Sequence, residues 1–245
     1  IVDSEQLSIQ NQTLEIALGS PEIDGEADAL WLTQPGISLE ASETFTPSFQ
    51  TSWDEENLYL FVATEGLDGE MIEVFIDPNN GKTETYEGDE QHFTFQNGEC
   101  AACEGVVYAV SAAETGSRLE AAFPLNEAGA VGEEIGFDLR ITSASAPDAP
   151  ISWNDRSNSQ DSDTSKYGNL VFTEAAKMIT AVFGTPIIDG EADEMWANAE
   201  AVNTEVWVVG DSGSTGTVKT LWDDTHLYAY VVVTDTLLSK AAENP

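Results

Sequence analysis

The stretch Ile23-Asp24-Gly25-Glu26-Ala27-Asp28-Ala29-Leu30-Trp31 returns as Ile188-Asp189-Gly190-Glu191-Ala192-Asp193-Glu194-Met195-Trp196, 165 positions later. That spacing is several times the roughly 20 to 50 residues of a solenoid or propeller repeat, so each copy is expected to be a domain with its own core. A second phrase agrees: Trp53-Asp54-Glu55-Glu56-Asn57-Leu58-Tyr59-Leu60 reappears as Trp222-Asp223-Asp224-Thr225-His226-Leu227-Tyr228-Ala229, 169 positions on. The second copy stops at Pro245, where the first is about to enter the apolar run Ile72 to Ile76. Four segments are therefore expected: a leader or tail of a preceding module at 1–14, a complete module at 15–173, a linker at 174–179 and the opening half of a second module at 180–245.

Between these phrases the chain reads as strands. Leu58 to Ala63, Ile72 to Ile76, His92 to Gln96, Val106 to Val110, Arg118 to Phe123, Ile135 to Ile141 and Asn169 to Phe172 are short β-branched or aromatic runs. Turn-rich segments such as Asp77-Pro78-Asn79-Asn80-Gly81 separate them. The expected fold is all-β, an antiparallel, jelly-roll-like β-sandwich. Arg118 to Phe123 and Phe137 to Ile141 alternate, which predicts one face on the core and one in solvent. Glu174 to Met178 offers one weak helical turn.

Eight basic residues against 45 acidic ones give a formal charge of −37 at 41% hydrophobic content, so the acidity belongs to a folded surface. Like-charge repulsion excludes nucleic acid and anionic membranes as partners. No apolar run reaches the roughly 18 residues of a membrane-spanning helix. The start at Ile1, without Met, is read as a processed or excised piece of a secreted polypeptide. Cys100-Ala101-Ala102-Cys103 is expected to form a local disulfide in an oxidising compartment, with free thiols and a metal pair as alternatives.

The residues resemble the family 9 carbohydrate-binding modules, which are appended, often in tandem, to secreted bacterial xylanases. Five linked motifs carry the likeness: Ile23 to Trp31 preceded by Gly19-Ser20-Pro21, Trp53 to Tyr59, Ile72-Glu73-Val74-Phe75-Ile76-Asp77-Pro78-Asn79-Asn80-Gly81-Lys82-Thr83, Ile151-Ser152-Trp153-Asn154-Asp155, and Lys166-Tyr167-Gly168-Asn169-Leu170. The resemblance implies a β-sandwich that binds calcium and grips the ends of cellulose or xylan chains between two tryptophans. Sugar C–H faces stack on indole while carboxylates, amides and an arginine take the hydroxyls.

Carried over residue by residue, the implied clamp is incomplete. Leu67 stands at the first clamp position and Asp161 at the second, and Thr94 holds the place of the family's arginine. Glu73 and Asn158 match polar contacts, and His92 occupies a glutamine position. Tyr86 is the best exposed aromatic of the first copy, and Trp207, outside the shared motifs, is a candidate sugar platform. The loop Ser157 to Ser165 is expected to border the ligand. Core packing is the reading for Trp31, Trp53, Trp153, Trp196 and Trp222. Asp24 with Asp28, Asp189 with Asp193, and Asp77 with Asn79 resemble oxygen-rich cation loops for calcium, though turn capping by Asp explains them too.

No Ser/His/Asp order, HExxH, P-loop or GxSxG is present, and 45 carboxylates single out no glycosidase pair. A non-catalytic polysaccharide-binding role is expected. Two alternatives are carried: a structural or adhesive extracellular sandwich, in which the incomplete second module pairs its strands with another chain, and a haem-binding sandwich with Met71 and His92 as axial ligands.

Overall fold

The computed structural model describes residues 11–39, 46–65, 70–101, 103–113, 116–204 and 213–234. Two compact units divide the chain, Ile1–Ala176 and Lys177–Pro245. The first unit holds twelve strands: β1 Thr13–Ala17, β2 Ile37–Ser38, β3 Ser48–Trp53, β4 Asn57–Glu65, β5 Met71–Asp77, β6 Gln91–Gln96, β7 Glu99–Ala101, β8 Val107–Ala113, β9 Gly116–Pro124, β10 Glu134–Ser143, β11 Ala146–Ser152 and β12 Gly168–Thr173.

They form two sheets. One is five-stranded in the order β2-β3-β4-β9-β8, and the other is seven-stranded in the order β1-β12-β10-β5-β6-β7 with β11 beside β10. Every pairing in the first unit is antiparallel except β1 with β12, which run parallel. The expected sandwich is therefore present, with one parallel edge that short-range patterning could not show. The described residues contain no α-helix, only 3-10 turns at Trp31–Thr33, Thr164–Lys166 and Glu194–Asn198. The weak turn expected at Glu174 to Met178 is irregular chain.

The core between the sheets follows the period-two pattern. Ile72, Val74 and Ile76 of β5 meet Leu58, Leu60 and Val62 of β4, with Phe137, Leu139 and Ile141 of β10 and Leu119, Ala121 and Phe123 of β9. Trp53 stacks on Phe172 at 4.6 Å between ring centres, and Trp153 meets the edge of Phe49.

The outer faces correct the sequence reading. Neither β9 nor β10 leaves a face in solvent: Leu119 to Phe123 and Ile135 to Ile141 are buried throughout. Two segments do the covering. On the five-stranded sheet, the first repeated phrase packs Trp31 over Tyr59, Phe61 and Ala122. Glu120, fully buried, accepts the Trp31 indole N–H at 2.6 Å and the backbone N–H groups of Asp24 and Gly25 at 3.0 and 2.8 Å. Gly25 sits at φ 86°, and a Cβ there would meet Ser111 backbone at 3.2 Å, so the turn requires glycine. On the seven-stranded sheet, the segment 153–167 lies over Asp138 and Arg140 and builds the candidate site.

The second unit forms one four-stranded sheet from β13 Val182–Phe183, β14 Val202–Thr204, β15 Thr215–Trp222 and β16 Leu227–Thr234, with β15 central. Its register repeats that of β3 and β4, since Trp222 faces Leu227 as Trp53 faces Leu58. The second phrase explains itself in both units. Asp54 Oδ1 accepts the N–H groups of Glu56 and Asn57, while Oδ2 takes the Tyr59 hydroxyl; Asp223 does the same with Thr225, His226 and Tyr228. Trp31, Trp53, Trp153 and Trp196 are core residues as expected, but Trp222 is 44% exposed, because among the described residues the second unit has no opposing sheet.

Candidate functional site

Antiparallel pairing aligns Thr94 of β6, Glu73 of β5 and Arg140 of β10 in one row across the outer face of the seven-stranded sheet. Arg140 Nε and Nη2 donate to Glu73 Oε2 and Oε1 at 2.6 and 2.7 Å, a bidentate pair in which both residues are buried. The remaining guanidinium donors reach the covering loop. Nη1 lies 2.9 Å from Asn158 Oδ1 and 3.0 Å from Asp161 Oδ2. Phe75 supports the guanidinium from below, its ring centre 5.0 Å from Cζ, and stacks on His92 at 4.3 Å. His92 Nε2 is 3.2 Å from Glu73 Oε1, and Nδ1 is 3.7 Å from Asp161 Oδ1.

Burial works against the charge on Glu73, but bonds from His92 and Arg140 outweigh it and hold the carboxyl at about 2. Burial likewise opposes the guanidinium charge, and Glu73 and Asp161 keep it above its ordinary range. The face thus presents carboxylate and amide groups held in place by a buried guanidinium whose own donors they occupy. Such a set orients hydroxyl groups, whereas a general acid would need a carboxyl with a raised pKa facing substrate.

One buried carboxylate holds the covering loop. Asp138 Oδ1 accepts the N–H groups of Leu139 and Asn154, and Oδ2 those of Asp155 and the Gln160 amide. Burial dominates these bonds and pushes Asp138 up to about 6. From about pH 4 to pH 6 the folded chain keeps a proton that the unfolded chain releases, so this group's contribution to stability falls as pH rises through that window. Asp138→Asn is expected to be less stable overall, having one acceptor oxygen for four donors. Its deficit relative to the parent should shrink by on the order of 2 kcal/mol from pH 4 to pH 6. Urea unfolding of both chains across that range checks this; parallel pH profiles would refute it.

The structure gathers Glu73, His92, Asn158 and Asp161, four of the candidate ligand contacts, around one arginine. Tyr86 borders that face, but it is half-buried and its hydroxyl donates to Gln160 O at 2.5 Å beside Tyr167, so it serves the scaffold instead of standing exposed. Trp207 and Leu67 lie outside the described residues. Arg140, Gln160 and Asp138 went unrecognised. The signal was present in Phe137-Asp138-Leu139-Arg140-Ile141, whose alternation sets Asp138 and Arg140 opposite the apolar positions; the register that brings Arg140 beside Glu73 was not readable.

The haem reading fails on geometry. Met71 pairs with Gln96 while His92 pairs with Phe75, four residues up the same strand, so the two side chains start about 13 Å apart. His92 is instead engaged with Glu73.

The calcium candidates do not converge. Asp24 and Asp28 cap their turn through the N–H groups of Glu26 and Leu30, and Asp189 and Asp193 do so through Glu191 and Met195. Asp77 lies within charge-interaction range of the Lys82 ammonium, which donates to Tyr167 O and Gly168 O at 2.6 and 2.9 Å. Burial lowers that ammonium to about 8, with Asp77, Asp138 and Glu134 opposing the shift. A fixed cation beside Asp77 disfavours a divalent one. Among the described residues, the group of three potential ligands within 4.8 Å is Glu73, His92 and Asp161, already held by Arg140. Cys100 of β7 and Cys103, just after that strand, are joined as a disulfide.

Comparison with known proteins places this geometry. A solved family 9 carbohydrate-binding module from Caldicellulosiruptor kristjanssonii, in complex with cellotriose, superposes with a TM-score of 0.60 at 20% identity, covering 67% of this chain and 95% of that one. Endo-1,4-beta-xylanase A of Thermoanaerobacterium saccharolyticum is 34% identical over 256 residues, and Exoglucanase XynX of Acetivibrio thermocellus 33%. Each match spans 100% of this chain but only 22% and 24% of those proteins, respectively. No helix among the described residues is long and apolar enough to cross a membrane. The family model described as carbohydrate family 9 binding domain-like matches residues 23–175 and again 188–245, each beginning within one of the repeated phrases, and the chain belongs to that family.

Proposed function

We propose that this chain is a non-catalytic sugar-chain-binding segment of a secreted polysaccharide-degrading enzyme, and that the first unit contacts cello- or xylo-oligosaccharides through the Arg140 face. The carrying observation is the arginine itself. Its guanidinium, every N–H of which is taken by Glu73, Asn158, Gln160 or Asp161, fixes those acceptors on one face, from β10 instead of from Thr94 on β6. Asp161, at an implied clamp position, offers hydrogen bonds but no stacking surface, so affinity is weak. Calorimetry with xylo- and cellotetraose is expected to give a dissociation constant on the order of 1 mM. Amide shifts of residues 154–161 should move in parallel. The absence of both heat and shifts at tenfold higher sugar would exclude the proposal.

A second reading concerns the second unit. In the first unit β9 pairs along β4, and Leu58 and Val62 are fully buried. Their counterparts on β16, Leu227 and Val231, are 72% and 54% exposed, with Val233 at 61%, and among the described residues β16 pairs with β15 alone. This edge and face suit a strand from another chain with the β9 pattern, apolar where Leu119, Ala121 and Phe123 stand. Because the chain carries −37 charges, association should rise with salt, as screening shortens the reach of the repulsion. Light scattering at micromolar concentration that shows a strict monomer even in molar salt would remove this reading.

A further inference from the structure

We propose that the cleft between β2 and the end of β11 is a second subsite, which takes a carboxylate-bearing sugar: a uronic acid substituent on a xylan-type chain. The inference rests on the sugar-binding reading of the first unit. The cleft encloses about 520 Å3 and is lined by Ile37, Ser38, Pro150, Ile151, Arg156 and Asn158 among others. That volume lies in the range of small-ligand clefts. Ile37 and Ile151 form an apolar floor packed on the main core, while Ser38 and Asn158 bring polar groups to its walls. A sugar ring has the matching division, with C–H groups on its faces and hydroxyls at its edge.

Arg156 sets the ligand's charge. It is exposed, and among the described residues it has no ion pair or hydrogen bond, whereas Arg118 holds Glu26 and Arg140 holds Glu73 and Asp161. An unpaired guanidinium is a conspicuous feature in a chain with 45 acidic residues and eight basic ones. The adjacent carboxylate cannot serve it. Asp155 is 2% exposed and turned under the loop, where its oxygens accept the N–H and O–H groups of Ser157 and Ser159. A guanidinium fork at the mouth of the cleft matches the two oxygens of a carboxylate.

The subsite adjoins the Arg140 face through one residue. Asn158 lines the cleft and accepts from Arg140 Nη1 at 2.9 Å, and its backbone is held at φ 61°, a left-handed conformation uncommon outside glycine. A chain resting on the Arg140 face therefore has the cleft beside it. The overall negative field repels a small free anion, so the carboxylate must arrive attached to a sugar chain whose neutral rings contribute most of the binding.

The test is calorimetry on the full chain with three probes: xylotetraose, the same oligosaccharide carrying one glucuronic acid branch, and free glucuronate. The branched oligosaccharide is expected to bind about tenfold more tightly than the linear one, the scale of a charge-assisted contact. Free glucuronate should give no measurable heat. Arg156→Gln should abolish the preference while leaving the urea unfolding curve unchanged, since the residue is exposed and holds nothing among the described residues. Equal affinities for the two oligosaccharides, or a preference that survives Arg156→Gln, would overturn this inference alone. Binding of neither oligosaccharide would overturn it together with the sugar-binding reading.

Discussion

Arg140→Ala is expected to lose all measurable oligosaccharide affinity and to destabilise the first unit by about 3 kcal/mol, the lower end of the cost of orphaning a buried charge. Glu73 is only 5% exposed, and without the guanidinium its carboxylate keeps one side-chain partner, His92. Arg140→Lys should fall between the parent and the alanine variant. An ammonium can satisfy Glu73, but it cannot span Glu73, Asn158 and Asp161 in one plane. The double variant Arg140→Ala/Glu73→Gln separates the two losses: removing the stranded charge should restore part of the stability and none of the affinity. If the double variant is no more stable than the single one, the pair is not the electrostatic unit described here. Urea unfolding and calorimetry on the same three variants decide it.

Most of the fold was legible because its signals are local. A strand run such as Ile72 to Ile76 announces itself by composition, and the two phrases by recurrence. β1, β2, β3, β7 and β11 escaped notice. Ala146-Pro147-Asp148-Ala149-Pro150-Ile151-Ser152 carries two prolines, tolerated because β11 pairs on one side only, with β10. The parallel pairing of β1 with β12 joins residues 156 positions apart, such as Thr13 and Asn169, and no short-range pattern encodes that.

The site divides along the same line. Glu73, His92, Asn158 and Asp161 were found because they sit at motif positions. Arg140 was missed because its role comes from register between β5 and β10, a long-range property. Asp138 was missed because alternation predicted a solvated face where the structure has a loop. Covered outer faces are the general reason: a sheet that reads as half-exposed can be buried on both sides when an irregular segment lies across it, and such segments have no periodicity to announce them.

Glu120→Ala is the corresponding experiment on the opposite sheet, and it should be the most destabilising single truncation of a polar side chain in the first unit, at roughly 4 kcal/mol. Three N–H donors, from the Trp31 indole and the backbones of Asp24 and Gly25, converge on this fully buried carboxylate. Each unpaired buried donor costs about 1 to 3 kcal/mol, reduced where the segment can lift and find water. Lifting is the expected response, because few other bonds hold the phrase to the sheet: Ser111 Oγ donates to Gly25 O, Gln50 Nε2 donates to Trp31 O, and Arg118 pairs with the exposed Glu26. Hydrogen exchange at Asp24 and Gly25 should therefore accelerate well before global unfolding, while β5 and β10 keep their protection. Trp31→Phe, which removes one donor and keeps most of the packing on Phe61, should cost less than half as much. The second unit supplies an internal control. Trp196 again packs on Tyr230, yet among the described residues its anchor is Lys219 Nζ donating to its carbonyl at 2.7 Å. Lys219→Ala there should cost under about 1 kcal/mol, as a half-exposed bond does. A loss at Glu120→Ala no larger than that at Lys219→Ala would mean that the phrase is held by apolar packing alone, and that its recurrence reflects the tryptophan and not the carboxylate beneath it.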